Sequence, residues 1–299
     1  MNWKKLTVVM GMATLSAPAL VLADGSSFAT LMAQVPAPPK TLKEAGSRWQ
    51  EGSSVSGSQM GFDKSSKALL AKIEKLEKDE MTNGQKFGGE TAQDLQSKMA
   101  NMTQEEKIAY AMKLSQKMQG DASSAYQSKA MQKVAQNNAS AVQKSMAAET
   151  AAKAMSDLDQ QYQAKFAALF EKMKADVKAC PQVKVGEASG PDKACVQTVL
   201  TKYKADYGAL TLKEMAQLSA IYVDFKKSAT AEIQGWEADI QSLEGSGSDT
   251  AGNEASRKKT MICEEIRDLT LPADKAVDLG HEAQNLDPWK VCGGDCLQD

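Results

Sequence analysis

Five cysteines, one histidine and 16 methionines are the residues of this 299-residue chain with the chemistry for metal or redox work. Cys292 and Cys296 stand three residues apart near the C-terminus, around Gly293 and Gly294. With Cys263 and the lone His281 they make a formal Cys₃His set, but the spacing follows no zinc pattern, and a metal would need free thiolates. Dithiol redox chemistry favours C-x-x-C beside a helix start, whereas C-x₃-C here lies in an irregular tail. Structural disulfides are the better reading in an oxidising compartment. Cys180 closes one long helical stretch and Cys195 opens the next, so these two are expected to pair across the mouth of a hairpin. Cys263 is expected to pin the tail through Cys292 or Cys296. That arrangement leaves one cysteine over, either free or linking two chains.

Catalysis has few candidates. A single histidine excludes most Ser-His and Cys-His sites. No phosphate-binding glycine loop or dinucleotide fingerprint occurs. The acids are scattered among lysines, in the manner of solvated helix faces. The chain is therefore read as a non-enzyme with no catalytic residues, cofactor or metal assigned. Met99, Met102, Met112, Met118 and Met131 crowd one third of the chain. Thioethers bind Cu(I), so metal or thiol-redox handling (Cu or Zn) is the alternative to an adaptable surface for protein chains.

The N-terminus bounds the compartment. Lys4 and Lys5 precede an apolar run from Leu6, Pro18 breaks it, and Val21 and Ala23 supply the small-residue exit. This is the layout of a secretory signal peptide over residues 1–23. It implies a secreted or periplasmic protein with no membrane span once the segment is removed. The net charge is −2, and nucleic acid, which needs a basic face, is not expected as a partner.

The remaining elements follow from hydrophobic spacing. Residues 24–62, with AQVPAPPKT and a Gly/Ser-rich stretch around Trp49, read as a disordered or extended tail. Asp63 caps a helix with Leu69, Ile73 and Leu76 on one face. Thr103 and Glu106 form a capping box ahead of a helix carrying Ile108, Met112 and Met118. From Ala147 to Cys180 there is neither proline nor glycine. Met155, Leu158, Tyr162, Phe166, Leu169, Met173 and Val177 recur there every three or four residues, an 11-residue repeat whose stripe barely drifts around the helix. Pro181 stops the run. A loop ending in Gly190-Pro191-Asp192 starts a second arm, which carries Val196, Tyr203, Met215, Leu218, Phe225, Ile233 and Ile240, with a small break expected at Leu210-Thr211-Leu212.

The expected fold is all-α. It is an elongated, coiled-coil-like bundle over 63–245, built on a long antiparallel hairpin over 121–245. A flexible linker spans 246–254, and a small disulfide-held helical segment spans 255–299. In outline it is similar to the Skp-type chaperones, whose arms are helical hairpins; those are basic and this chain is acidic. The expected function is a non-enzymatic binding or scaffold protein, chaperone- or adaptor-like, with protein partners. A coiled coil or the leftover cysteine would offer a route to a homodimer. A structural part of an envelope secretion or conjugation apparatus is a further alternative.

Overall fold

A computed structural model describes residues 27–53, 59–141, 147–185 and 188–293. The signal segment read over 1–23 lies outside the described residues, as does Cys296. The architecture is all-α: eleven helices are found among the described residues, and their strands form only two-stranded antiparallel ribbons.

One helix is the spine. α8 (Lys193–Glu244) has 52 residues and at 1.5 Å per residue is about 78 Å long. Three clusters of side chains sit along it. At its start, Val196, Leu200 and Tyr203 pack with Met173, Val177 and Cys180 of the α7 (Ala147–Lys178) end. In its middle, Met215 and Leu218 meet Leu158 and Tyr162 of α7, Ala45 of α2 (Leu42–Arg48) and Ala276 of α10 (Leu271–Asn285). At its end, Ile233, Ile240 and Leu243 join the largest cluster. That cluster gathers Phe28 and Leu31 of α1 (Phe28–Gln34), Leu69 and Ile73 of α3 (Lys67–Asp79), and Ile262 and Ile266 of α9 (Asp249–Asp268).

α7 and α8 form the antiparallel hairpin. The repeat on α7 is its packing stripe: Leu158, Tyr162, Met173 and Val177 are buried, and Met155, Phe166 and Leu169 are partly covered. The tip is a ribbon of β5 (Gln182–Val185) and β6 (Ala188–Pro191), with Gln182 opposite Pro191. Cys180 and Cys195 are bridged with their Cα atoms 5.8 Å apart. Closing a loop of this size contributes about 3 kcal/mol in the chain-entropy model. Asp192, whose side chain accepts the Ala194 N–H at 3.0 Å, caps α8, so Pro191 precedes the helix. The break expected at Leu210-Thr211-Leu212 is not there. Thr211 Oγ1 donates to the Tyr207 carbonyl one turn back at 3.0 Å, which satisfies the hydroxyl inside an unbroken helix.

Four expectations are corrected. The segment read as a tail over 24–62 is folded in its described parts. α1 buries Phe28, Leu31 and Met32, and the Tyr222 hydroxyl donates to the Val35 carbonyl at 3.2 Å. α2 is capped by Thr41, and β1 (Trp49–Ser53) pairs with β2 (Gln59–Asp63). Trp49 stacks on His281, with ring centroids 3.9 Å apart, and donates to Asp278 at 3.0 Å. The hairpin is narrower than 121–245, because residues before 142 belong to α5 (Gln104–Gln127) and α6 (Lys129–Ala141). The linker read over 246–254 shrinks to the few residues before α9. Ser248 caps that helix, and Asp121 of α5 accepts from Ser248 Oγ, the Thr250 N–H and Thr250 Oγ1 at 2.7–3.0 Å. The C-terminal segment is no appendage, since α9 and α10 complete the core around α8. Gly280 lies inside α10, where a Cβ would collide with that of Ala45, so the lack of a side chain there lets α10 and α2 approach closely.

Candidate functional site

The structure disperses the described members of the formal Cys₃His set, Cys263, Cys292 and His281. Cys263 is unbridged and lies in the large core cluster beside Ile262 and Ile266. Cys292, at the end of α11 (Pro288–Cys292), lies in the cluster at the hairpin tip and is disulfide-bonded to a partner outside the described residues. The expected staple from Cys263 to Cys292 is therefore not formed: the two belong to different clusters at opposite ends of α8. Burial pushes the Cys263 thiol up to about 12, the mark of an inert core cysteine. His281 stacks on Trp49, away from Cys263. Among the described residues no three His, Cys, Asp or Glu side chains are arranged to hold a metal.

The methionine-rich third folds into two helices with an unusual distribution of apolar surface. α4 (Ala92–Ala100) and α5 both start with capping boxes, Thr91 with Asp94 and Thr103 with Glu106. The Glu106 carboxylate accepts the Thr103 N–H at 2.8 Å, which holds it below its usual range. One side of α5 is anchored. Lys117 donates to the Gly88 carbonyl, Tyr110 donates to Glu90, Asp121 caps α9 and Ala125 is buried. The opposite side carries Ile108, Ala111, Met112, Ser115, Gln119 and Ala122, which share one helix face with no charge among them. Ile108 is 54% and Met112 66% exposed. Beside them Ala111, Leu114 and Met118 line a shallow groove of about 390 Å³. Met131, by contrast, packs on the core. Sequence reading located this helix but not its outward side. Tyr110, Leu114 and Ala125 make a second, competing inner face, and contacts more than 100 residues away decide between them.

Two other concave regions occur. A cleft of about 570 Å³ opens where a π-turn at Glu80–Gly84 meets the end of α8 and the start of α9. Its central cation, Lys259, is held between Glu80 at 3.2 Å and Glu244 at 2.9 Å and so ties the three elements together. On the hairpin, a groove of about 490 Å³ runs between α7 and α8 with Ala168, Leu169, Ala209 and Leu210 as its floor.

Buried acids anchor the helices to one another. Glu232 of α8 accepts the Ala147 N–H at 3.1 Å, and Glu265 of α9 accepts that of Ala148, so two carboxylates cap the start of α7. Burial, reinforced by Glu232 and Asp268, raises Glu265 to about 7. Burial also raises Glu214 to about 7, against the pull of Lys275, and Asp274 to about 6. Asp63 goes the other way. Its ion pair with Arg48 and the Ser65 N–H outweigh burial and lower it. These groups are placed inside helix junctions and serve packing and capping.

No family model matches the chain, and no curated protein or solved structure matches it.

Proposed function

We propose that this chain is an extracytoplasmic, non-enzymatic helical binding protein that holds apolar segments of unfolded or partner chains on the outer side of α5. The observation that carries the reading is the uncharged stripe around Ile108 and Met112, exposed on a helix whose other side is anchored to Gly88, Glu90 and the start of α9. Large exposed apolar side chains in contiguous array mark interaction surfaces. Methionine suits such a surface because its unbranched, polarisable side chain adapts to varied partners. The Cys180–Cys195 bridge supports an oxidising compartment, and the basic, then apolar N-terminus supports export.

The test is suppression of light scattering by a thermally unfolding reporter enzyme. The full oxidised chain is expected to suppress aggregation at a few-fold molar excess, and Ile108→Asp with Met112→Asp to lose most of that effect while melting unchanged. No suppression by the parent chain, or equal suppression by the variant, contradicts the reading.

A further inference from the structure

The hairpin carries a second surface, of different character from the α5 stripe. Its groove has an apolar floor of alanine and leucine, Ala168 and Leu169 from α7 and Ala209 and Leu210 from α8. Three lysines line it, Lys165 and Lys172 on the α7 edge and Lys213 on the α8 edge. Lys202 stands farther along α8 toward the hairpin tip, beside a smaller neighbouring hollow. Two aspartates interrupt the charge: Lys172 pairs with Asp176 at 2.7 Å, and Lys202 pairs with Asp206. Lys165 sits 3.9 Å from the centre of the Tyr162 ring, with the buried Glu214 as a charged neighbour on the inner side. The rim is therefore net positive on a chain whose total charge is −2. Over this stretch two helices lie side by side with no third helix across the groove, among the described residues. A third helix laid there would complete a three-helix bundle.

We propose that this groove receives an acidic amphipathic helix of a partner protein, with an apolar stripe at i, i+3/i+4, i+7 against the floor and glutamates or aspartates on both flanks facing the lysine rails. The occupant is chosen by charge. A helix flanked by lysines would face like charge on both edges, and an apolar helix without acids would leave the rim unmatched. Leu169 and Leu210 are partly covered between the two helices, and the exposed Ala168 and Ala209 beside them are small enough to let a helix backbone approach closely. Lys172 and Lys202 can exchange their exposed intrahelical aspartates for partner carboxylates at little cost, because solvent-exposed i,i+4 pairs are weak.

The test is fluorescence polarisation with the full oxidised chain and a fluorescein-labelled 18-residue helical peptide, leucine at the stripe positions and glutamate on both flanks. A lysine-flanked peptide of the same stripe and phosphatidylglycerol vesicles serve as alternatives. Saturable binding of the glutamate peptide is expected, at least tenfold tighter than the lysine peptide in low salt, with the gap closing as salt is raised. Lys172→Glu with Lys213→Glu, which leaves the Lys165–Tyr162 contact intact, is expected to weaken binding at least tenfold. Ala168→Asp with Ala209→Asp, both at exposed positions, is expected to abolish it, each variant keeping the parent circular dichroism. Equal binding of the two peptides overturns the charge argument. Binding indifferent to both variants places the peptide elsewhere and overturns the site. Lysine-dependent binding to vesicles without peptide binding makes the face a lipid surface and also overturns the proposal.

Discussion

Around Ile233 and Ile240, α8 is enclosed by helices from both ends of the chain; around Val196 and Leu200 it has α7 and the short α11 beside it. The enclosed end is held by a broad apolar cluster and by buried charge. Asp63 is fully buried against Arg48, and Lys258 and Asp239 form a pair 3.2 Å apart in which both members are covered. The outer end has a narrower apolar seam, so a covalent bridge holds what burial alone holds less well. The difference teaches where function has room. The body spends its acids and apolar surface on joining helices, while the hairpin and α5 leave a face uncovered.

Breaking the body should cost most. Asp63→Ala leaves the Arg48 guanidinium with only Glu44 and the Ala37 carbonyl and removes the acceptor of the Ser65 N–H, so a loss of about 3–4 kcal/mol is expected in chemical denaturation. A loss below about 1 kcal/mol would mean that the pair does not hold the junction. Breaking the hairpin comes next. Cys180→Ser with Cys195→Ser should cost about 3 kcal/mol. Hydrogen exchange should rise over residues 165–205 while α9 and α10 keep their protection. Uniform loss across the chain would erase the distinction between the two regions. Gly280→Ala should then cost about 1–3 kcal/mol by forcing α10 off α2, and an unchanged melting temperature would refute that close approach.

The smallest effect sharpens the comparison through pH. Glu265 and Glu214 have folded-state values raised to about 7. Each therefore binds its proton more tightly when folded. Stability from this source is fully present below their unfolded values and is lost as pH rises through about 7. Asp63, lowered by Arg48, opposes this only in stronger acid, where its ion pair is lost as pH falls through its folded value. Lowering the pH from 8 to 5.5 should therefore raise stability by up to about 2 kcal/mol per acid. Glu265→Gln should flatten that slope, while substitution of Lys172 or Lys202 should leave it unchanged. A stability that falls over this range would contradict the burial of these acids.

Much of the helical frame was legible in the sequence. The α7 stripe recurs every three or four residues over 32 residues without a breaker, and periodicity of that length has one reading. Thr103 and Glu106 carried their helix start in their types and spacing. The N-terminal elements were not legible, because Phe28 to Met32 is too short to show a period and is stabilised by partners more than 200 residues away, such as Ile262 and Ile266. Composition also misled at residues 246–254, where glycine and serine suggested a linker but Asp121 supplies the cap. The buried acids were invisible for a related reason. Glu214 and Glu265 share their local pattern with the solvated acids around them, and only tertiary packing separates the two kinds. The α5 stripe was visible as residues but not as a surface.

The most direct measurement is hydrogen-exchange mass spectrometry of the full oxidised chain, alone and with an unfolded reporter protein. The account predicts new protection over residues 104–122 of α5 on addition of the reporter, abolished by Ile108→Asp with Met112→Asp. Unchanged exchange over 104–122, in the presence of demonstrated binding, would contradict it.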